Sequence, residues 1–251
     1  MRKLLPLLAE VARGERTVVS FGGAYSNHLA ALSAAGRRFG FRTRLYVRGD
    51  PVRNPVLDYM AAASELRFVS RAEYRRKADP GWQRSVGIAA EDLVVPEGGS
   101  TGSAVAASGT VYREAVDQLG RHPDYFCLAA GTGCTAAGVI AAAPPGTVEV
   151  FPALRGTWMR DAINSRLGAH PPSWTLLSDY TYGGYAKFPG HWRYHTPSGY
   201  LVRQADIGVP GLPPLEPVYT AKLFSGVLDR IRRGCYPRGA TVVILHTGGI
   251  Y

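Results

Sequence analysis

The residues able to do chemistry gather in glycine-rich loops. The first is Phe21-Gly22-Gly23-Ala24-Tyr25-Ser26-Asn27-His28. Its glycines permit a tight turn, and Ser26 or Asn27 can cap a following helix. Two readings stand side by side: a plain N-cap, or a helix N-terminus whose amides and polar side chains face an anionic ligand. The second loop, Ala130-Gly131-Thr132-Gly133-Cys134-Thr135, joins a β-branched and apolar run to a helical one. Its consecutive N–H groups suit a phosphate. Pro96-Glu97-Gly98-Gly99-Ser100-Thr101-Gly102 and His246-Thr247-Gly248-Gly249 complete the set.

Several familiar chemistries are excluded. No loop is a G-x-G-x-x-G dinucleotide fingerprint or a G-x-x-x-x-G-K-[ST] loop, and no G-x-S-x-G marks a serine hydrolase. His246 alone is more readily a hydrogen-bonded structural residue than a base. His191 and His195 are four apart but lack a carboxylate partner, so no metal site is expected. Cys134 suits a small packed position as well as a reactive one. Cys127, Cys134 and Cys235 are odd in number and at no ligand spacing, which points to a reducing cytoplasm.

The chain of 251 residues carries a formal charge of +10, from 29 basic residues that include only four lysines, Lys3, Lys77, Lys187 and Lys222. A basic surface invites a nucleic-acid reading. The arginines are scattered, however, and pairs such as Arg37-Arg38, Arg75-Arg76 and Arg232-Arg233 suit solvated helical faces. No aromatic-interleaved basic run accompanies them, so no nucleic-acid partner is expected. No apolar run approaches the ~20 residues of a membrane span, and the first residues are too charged for a secretory signal.

The loops need a scaffold, and the sequence alternates strand and helix patterns throughout. Strands are expected at 17–21, 42–47, 66–69, 93–95, 125–130, 148–151, 174–177 and 241–245. Helices are expected at 27–39, 54–63, 104–119, 135–143, 159–167 and 219–232. Such alternation predicts an α/β fold with parallel sheets covered by helices, with ligands bound beyond the carboxyl ends of strands. The stretch 180–214, rich in Gly, Pro and aromatics, has no period and reads as a long loop.

Taken together, GGAYSNH, PEGGS, GTGCT, GGYAK, EPVYTAK and HTGG resemble the fold-type-II pyridoxal-phosphate enzymes, in particular the 1-aminocyclopropane-1-carboxylate deaminase and D-cysteine desulfhydrase family. The resemblance runs over the whole chain. It implies a tryptophan-synthase-β-like fold of two domains, a smaller one at 1–110 carrying the Ser-Asn-His loop and a larger cofactor domain at 111–251. It implies pyridoxal 5'-phosphate as cofactor, a small amino acid as substrate, and a homodimer. Asn27 matches the asparagine that hydrogen-bonds the cofactor's ring hydroxyl. Ser26 matches the serine that contacts the substrate carboxylate or aids proton transfer. Tyr25 replaces the usual glutamine there. Gly131, Thr132, Gly133, Cys134 and Thr135 match the phosphate cradle, with Cys134 where a glycine is usual. Tyr219 and Tyr185 match the two active-site tyrosines.

Position 220 bears on the reaction. A glutamate follows the PVY tyrosine in the deaminases and faces the pyridine nitrogen; this chain has Thr220, as in the desulfhydrase-like members. Thr247 stands where the deaminases resemble H-L-G-G. Both positions favour β-elimination from a small D-amino acid, D-cysteine above all, over ring opening of 1-aminocyclopropane-1-carboxylate.

The family also needs a lysine to hold the cofactor as a Schiff base. The match places that lysine one residue before Met1, leaving Lys3 as a phosphate neighbour. The favoured expectation is that an N-terminal segment is absent from this chain; the rival is a catalytically silent homologue lacking the nucleophile. Sequencing the DNA upstream of Met1 separates them: an in-frame Gly-Asn-Lys is expected, and an immediate stop codon refutes it.

Overall fold

The computed structural model describes residues 2–11, 16–190, 192, 202, 207 and 211–249. His191 and His195, and most of 193–210, lie outside the described residues. Two compact units divide at Ala104/Val105.

The first unit contains β1 (Val18–Gly23), β2 (Thr43–Arg48), β3 (Glu65–Val69) and β4 (Leu93–Val95), in the order β3-β2-β1-β4. Each neighbouring pair is parallel. α1 (Leu5–Val11) precedes β1, and α2 (Asn27–Phe39), α3 (Pro55–Ala61), α4 (Arg71–Tyr74) and α5 (Pro80–Ser85) lie between the strands. β1 is buried along its whole length, as a central parallel strand must be. An aromatic cluster covers one face, with Phe21 5.6 Å from Tyr46 and 6.3 Å from Trp82 between ring centroids.

The one-turn helices α4 and α5 were not expected from periodicity. Their signals are local: Ser70 and Glu73 form a reciprocal capping box, and Asp79 caps a helix that opens on Pro80.

The helix α6 (Gly102–Leu119) runs across the boundary at 104/105. The second unit then contains β5 (Tyr125–Ala130), α7 (Cys134–Ala142), β6 (Val148–Pro152), α8 (Trp158–Leu167), β7 (Thr175–Leu176), α9 (Thr220–Arg232) and β8 (Val242–Ile244). The strand order is β7-β6-β5-β8, again all parallel. Alternate residues of β5 feed two cores. Phe126, Leu128 and Ala130 pack with α7 and α8, whereas Cys127 and Ala129 pack with Phe151 and α9. On the α9 face the buried Glu149 carboxylate accepts from Arg230 at 2.9 Å and from Tyr236 at 2.6 Å. Both bonds are charge-assisted, which is how a buried carboxylate is held at low cost.

The α/β class and the parallel sheets agree with the sequence. Element bounds coincide or differ by at most two residues at either end, as at α3 (expected 54–63) and β7 (expected 174–177).

Close helix packing rests on Gly138 of α7. A Cβ there would overlap the Val105 carbonyl oxygen and sit 2.7 Å from Ser108 Cβ. Gly138→Ala is expected to cost about 3 kcal/mol by overpacking, measurable as a lower urea midpoint for the second unit.

Candidate active site

Every loop of interest follows the carboxyl end of a parallel strand, the place where such sheets bind ligands. In the first unit, β1 leads into Ala24-Tyr25-Ser26-Asn27. Ser26 is the N-cap of α2, its hydroxyl accepting from Leu29 N at 3.3 Å, and Asn27 is the first helical residue. Ser26 is buried, while Tyr25 and Asn27 are half-buried. The plain capping reading of Ser26 is therefore realised, and capping leaves the residue at a helix N-terminus.

This loop is locked from beneath. Ser20 Oγ donates to Val95 O at 2.9 Å, which spends its single proton. His28 Nε2, 2.8 Å from the same oxygen, must then be the donor, so the imidazole carries its proton on Nε2. Burial pulls the His28 pKa down to about 3, with the Lys3 ammonium adding to the effect. His28 thus ties α2 to β1 and β4 as a neutral ring. Lys3 donates to Gly98 O of the PEGGS loop at 2.6 Å.

In the second unit, β5 ends at Ala130 and the chain turns through Gly131, Thr132 and Gly133 into α7. Gly133 is the cap residue at φ 82°, and a Cβ there would lie 2.7 Å from Ile163 Cγ1. Only glycine meets both conditions. No side chain caps α7. Its Cys134 is buried and Thr135 half-buried. A Cβ on Gly131 would lie 3.1 Å from Tyr219 Cε1 and 3.5 Å from Tyr219 Oη. The loop glycine therefore leaves room for the ring of one of the predicted tyrosines. The other, Tyr185, sets its ring edge-on to Tyr219 at 6.3 Å between centroids. The glycine loop and both tyrosines thus lie together.

Tyr219 itself is fixed by a residue the sequence reasoning missed. Glu216 is fully buried, and its carboxylate accepts from the backbone N–H groups of Val218 (2.8 Å), Tyr219 (2.8 Å) and Thr220 (2.6 Å). It supplies the helix cap that Tyr219, at the N-cap position, does not supply. Burial raises the Glu216 pKa to about 7 against the pull of those N–H groups. The Glu-Pro pair three residues before a helix start was the available signal. Thr220 is also fully buried: its hydroxyl donates to Glu216 O at 3.2 Å and accepts from Glu216 N at 3.0 Å.

At the end of β8, His246 donates from Nε2 to Pro214 O at 2.8 Å and accepts from Gly248 N at 3.1 Å, a structural role as expected. Thr247 beside it is exposed.

The comparisons with known proteins now bear on this geometry. The family described as pyridoxal-phosphate dependent enzyme matches residues 1–150. A putative 1-aminocyclopropane-1-carboxylate deaminase of Thermotoga maritima is 30% identical over 275 residues, covering all of this chain and 83% of the relative. The chain belongs to the pyridoxal-phosphate dependent enzymes. The 1-aminocyclopropane-1-carboxylate deaminase of Allorhizobium ampelinum is 24% identical, covering 99% of the chain and 81% of that protein. A solved structure of an ACC deaminase homologue shares the fold at a TM-score of 0.77 and 24% identity, over 99% of this chain and 79% of that one. An L-serine ammonia-lyase of Rhizomucor miehei does so at 0.63 and 14%, over 100% and 84%.

The cofactor of this pyridoxal-phosphate enzyme is pyridoxal 5'-phosphate, and the glycine loop passes the test of fit. Gly133 excludes a Cβ, one on Gly131 would crowd the Tyr219 ring, and the N-cap of α7 is itself a glycine with no side chain to compete for an anion. The lysines fit less well. Lys222 has its three N–H groups engaged by carbonyls, Lys77 pairs with Glu97 at 3.3 Å, and Lys187 is exposed. Among the described residues no cluster of potential metal ligands occurs, and no helix is long and apolar enough to cross a membrane.

The half-buried His28 and the buried Glu216 impose opposite pH dependences. His28 has a folded pKa of about 3, below its ordinary 6.5, so its share of stability is full above 6.5 and lost as pH falls toward 3. Glu216 has a folded pKa of about 7, above its ordinary 4.5, so its share is full below 4.5 and lost as pH rises toward 7. Relative to wild type, His28→Gln is expected to flatten the acid-side loss, and Glu216→Gln the loss toward neutrality, in urea midpoints measured from pH 3 to 8.

Proposed function

We propose that this pyridoxal-phosphate enzyme is a lyase that eliminates the β-substituent of a small D-amino acid. D-cysteine is the reference substrate, giving pyruvate, ammonia and sulfide with uptake of one water. When bound, the cofactor supplies the electron sink that stabilises negative charge at the substrate α-carbon. The glycine loop at Gly131–Thr135 offers backbone N–H groups to its phosphate. In this reading Tyr219 and Tyr185 move or hold a proton at the reacting centre, and Ser26 and Asn27, with Tyr25 beside them, receive the substrate carboxylate and the cofactor's ring hydroxyl. The same reading assigns Lys3 to the phosphate and Thr247 to the substrate, on the family resemblance alone.

The observation that carries the choice of reaction is Thr220. A carboxylate facing the pyridine nitrogen would keep it protonated and strengthen the sink. Thr220 is neutral, and its one proton is directed to Glu216 O. A weaker sink suits loss of a good leaving group such as thiolate, which asks less of it than breaking a carbon–carbon bond. A second reading, ring opening of 1-aminocyclopropane-1-carboxylate, is favoured by the names that the relatives at 24–30% identity carry. A homodimer in a reducing cytoplasm belongs to the same proposal; none of the three cysteines is in a disulfide.

Incubation of the full product of the gene, with any coding sequence upstream of Met1 included, with pyridoxal phosphate and either D-cysteine, L-cysteine or 1-aminocyclopropane-1-carboxylate distinguishes the readings. Equimolar sulfide and pyruvate from D-cysteine alone is the expected result, whereas a four-carbon oxo acid from the cyclopropane and no sulfide would establish the second. Tyr219→Phe is expected to lower turnover about 10²-fold, the usual scale for a positioned proton-transfer group, with an unchanged melting temperature.

A further inference from the structure

Lys222 lies in the first turn of α9 with only 1% of its surface exposed, and the chemistry above makes no use of it. Its ammonium donates to Ala153 O at 3.1 Å, Thr181 O at 2.8 Å and Gly184 O at 2.6 Å. An ammonium has three N–H groups, so the set is complete. Two of the acceptors belong to the turn that carries Tyr185. That turn is held in an unfavourable backbone: Tyr182 and Ala186 have φ of 49° and 55°, and Gly183 and Gly184 of 92° and 116°. Non-glycine residues in this region cost energy and persist only where their surroundings fix them. The turn's own backbone bonds, Gly184 N to Thr181 O at 3.0 Å and Lys187 N to Gly184 O at 3.1 Å, are few for that task. Tyr182 Oη lies 2.9 Å from Ser225 Oγ, and the cation adds two further ties, at Thr181 O and Gly184 O, from the same helix start that bears Tyr219.

We propose that Lys222 is a positioning residue: its ammonium gathers the 181–184 turn and thereby holds the ring of Tyr185 against Tyr219. The proposal rests on reading the two tyrosines as active-site groups, and it assigns Lys222 to this seat in place of a covalent bond to the cofactor. Placement of one catalytic ring against another is then set by an amine that touches neither ring.

The test is a nuclear Overhauser cross-peak between the rings of Tyr185 and Tyr219 in tyrosine-labelled protein, assigned with Tyr185→Phe and Tyr219→Phe. The cross-peak is expected in wild type. In Lys222→Met it is expected to be lost while the methyl resonances of Leu128 and Val150 in the sheet core keep their positions. A cross-peak at full strength in folded Lys222→Met overturns the proposal. Should that variant not fold, Lys222→Gln offers two N–H groups to the three carbonyls, and an undiminished cross-peak there overturns it equally. Full turnover in Tyr185→Phe, with the cross-peak still lost in Lys222→Met, would refute the catalytic reading of Tyr185 and leave the positioning role standing.

Discussion

The carboxylate of Glu216 sits where three consecutive backbone N–H groups would otherwise open a buried helix without acceptors. Such orphan donors cost on the order of 1–3 kcal/mol each when buried. The second unit's site depends on this one capping interaction. With the helix start fixed, Tyr219 is aimed at the space over Gly131, Thr220 is folded back on the Glu216 backbone, and Lys222 is delivered to its three carbonyls. A residue at 216 with no side-chain acceptor would leave the N–H groups unsatisfied.

The first unit solves the same problem differently. There the helix start is capped by a hydroxyl, Ser26, and the register of the loop is set by a neutral histidine locked through Ser20 to the neighbouring strand. One loop is thus fixed by a buried carboxyl group that accepts from three backbone N–H groups, and the other by a hydrogen-bond chain through a neutral ring. The contrast gives His28, despite its place in a polar motif, a structural role as the tie between α2 and β1.

Much of this was legible in the sequence. The apolar runs at Val18–Gly23 and Tyr125–Ala130 are strands because both faces are buried, and continuous hydrophobicity records that directly. Gly133 was visible as a loop glycine because a left-handed cap beside Ile163 tolerates nothing else. The role of Lys222 was not legible. The residue stands three after Tyr219 in a recognisable motif, but its acceptors lie 38 to 69 positions away in segments without periodicity. The family motif marked the tyrosines and was silent on what holds them. Likewise α4 and α5 were hidden because single-turn helices bury too few residues to leave a period, and only their caps betray them.

The three-carbonyl seat also constrains how this gene can drift. The chain draws nearly all its positive charge from arginine, with four lysines among 29 basic residues. At most surface positions the exchange is harmless, since either cation keeps a helix face solvated. At 222 it is not: three acceptors splayed about one nitrogen match a tetrahedral ammonium, and a planar guanidinium is both longer and wrongly forked. An arginine at 222 would therefore break the three-carbonyl seat, whereas at the exposed Lys187 the same exchange leaves the surface charge as it was.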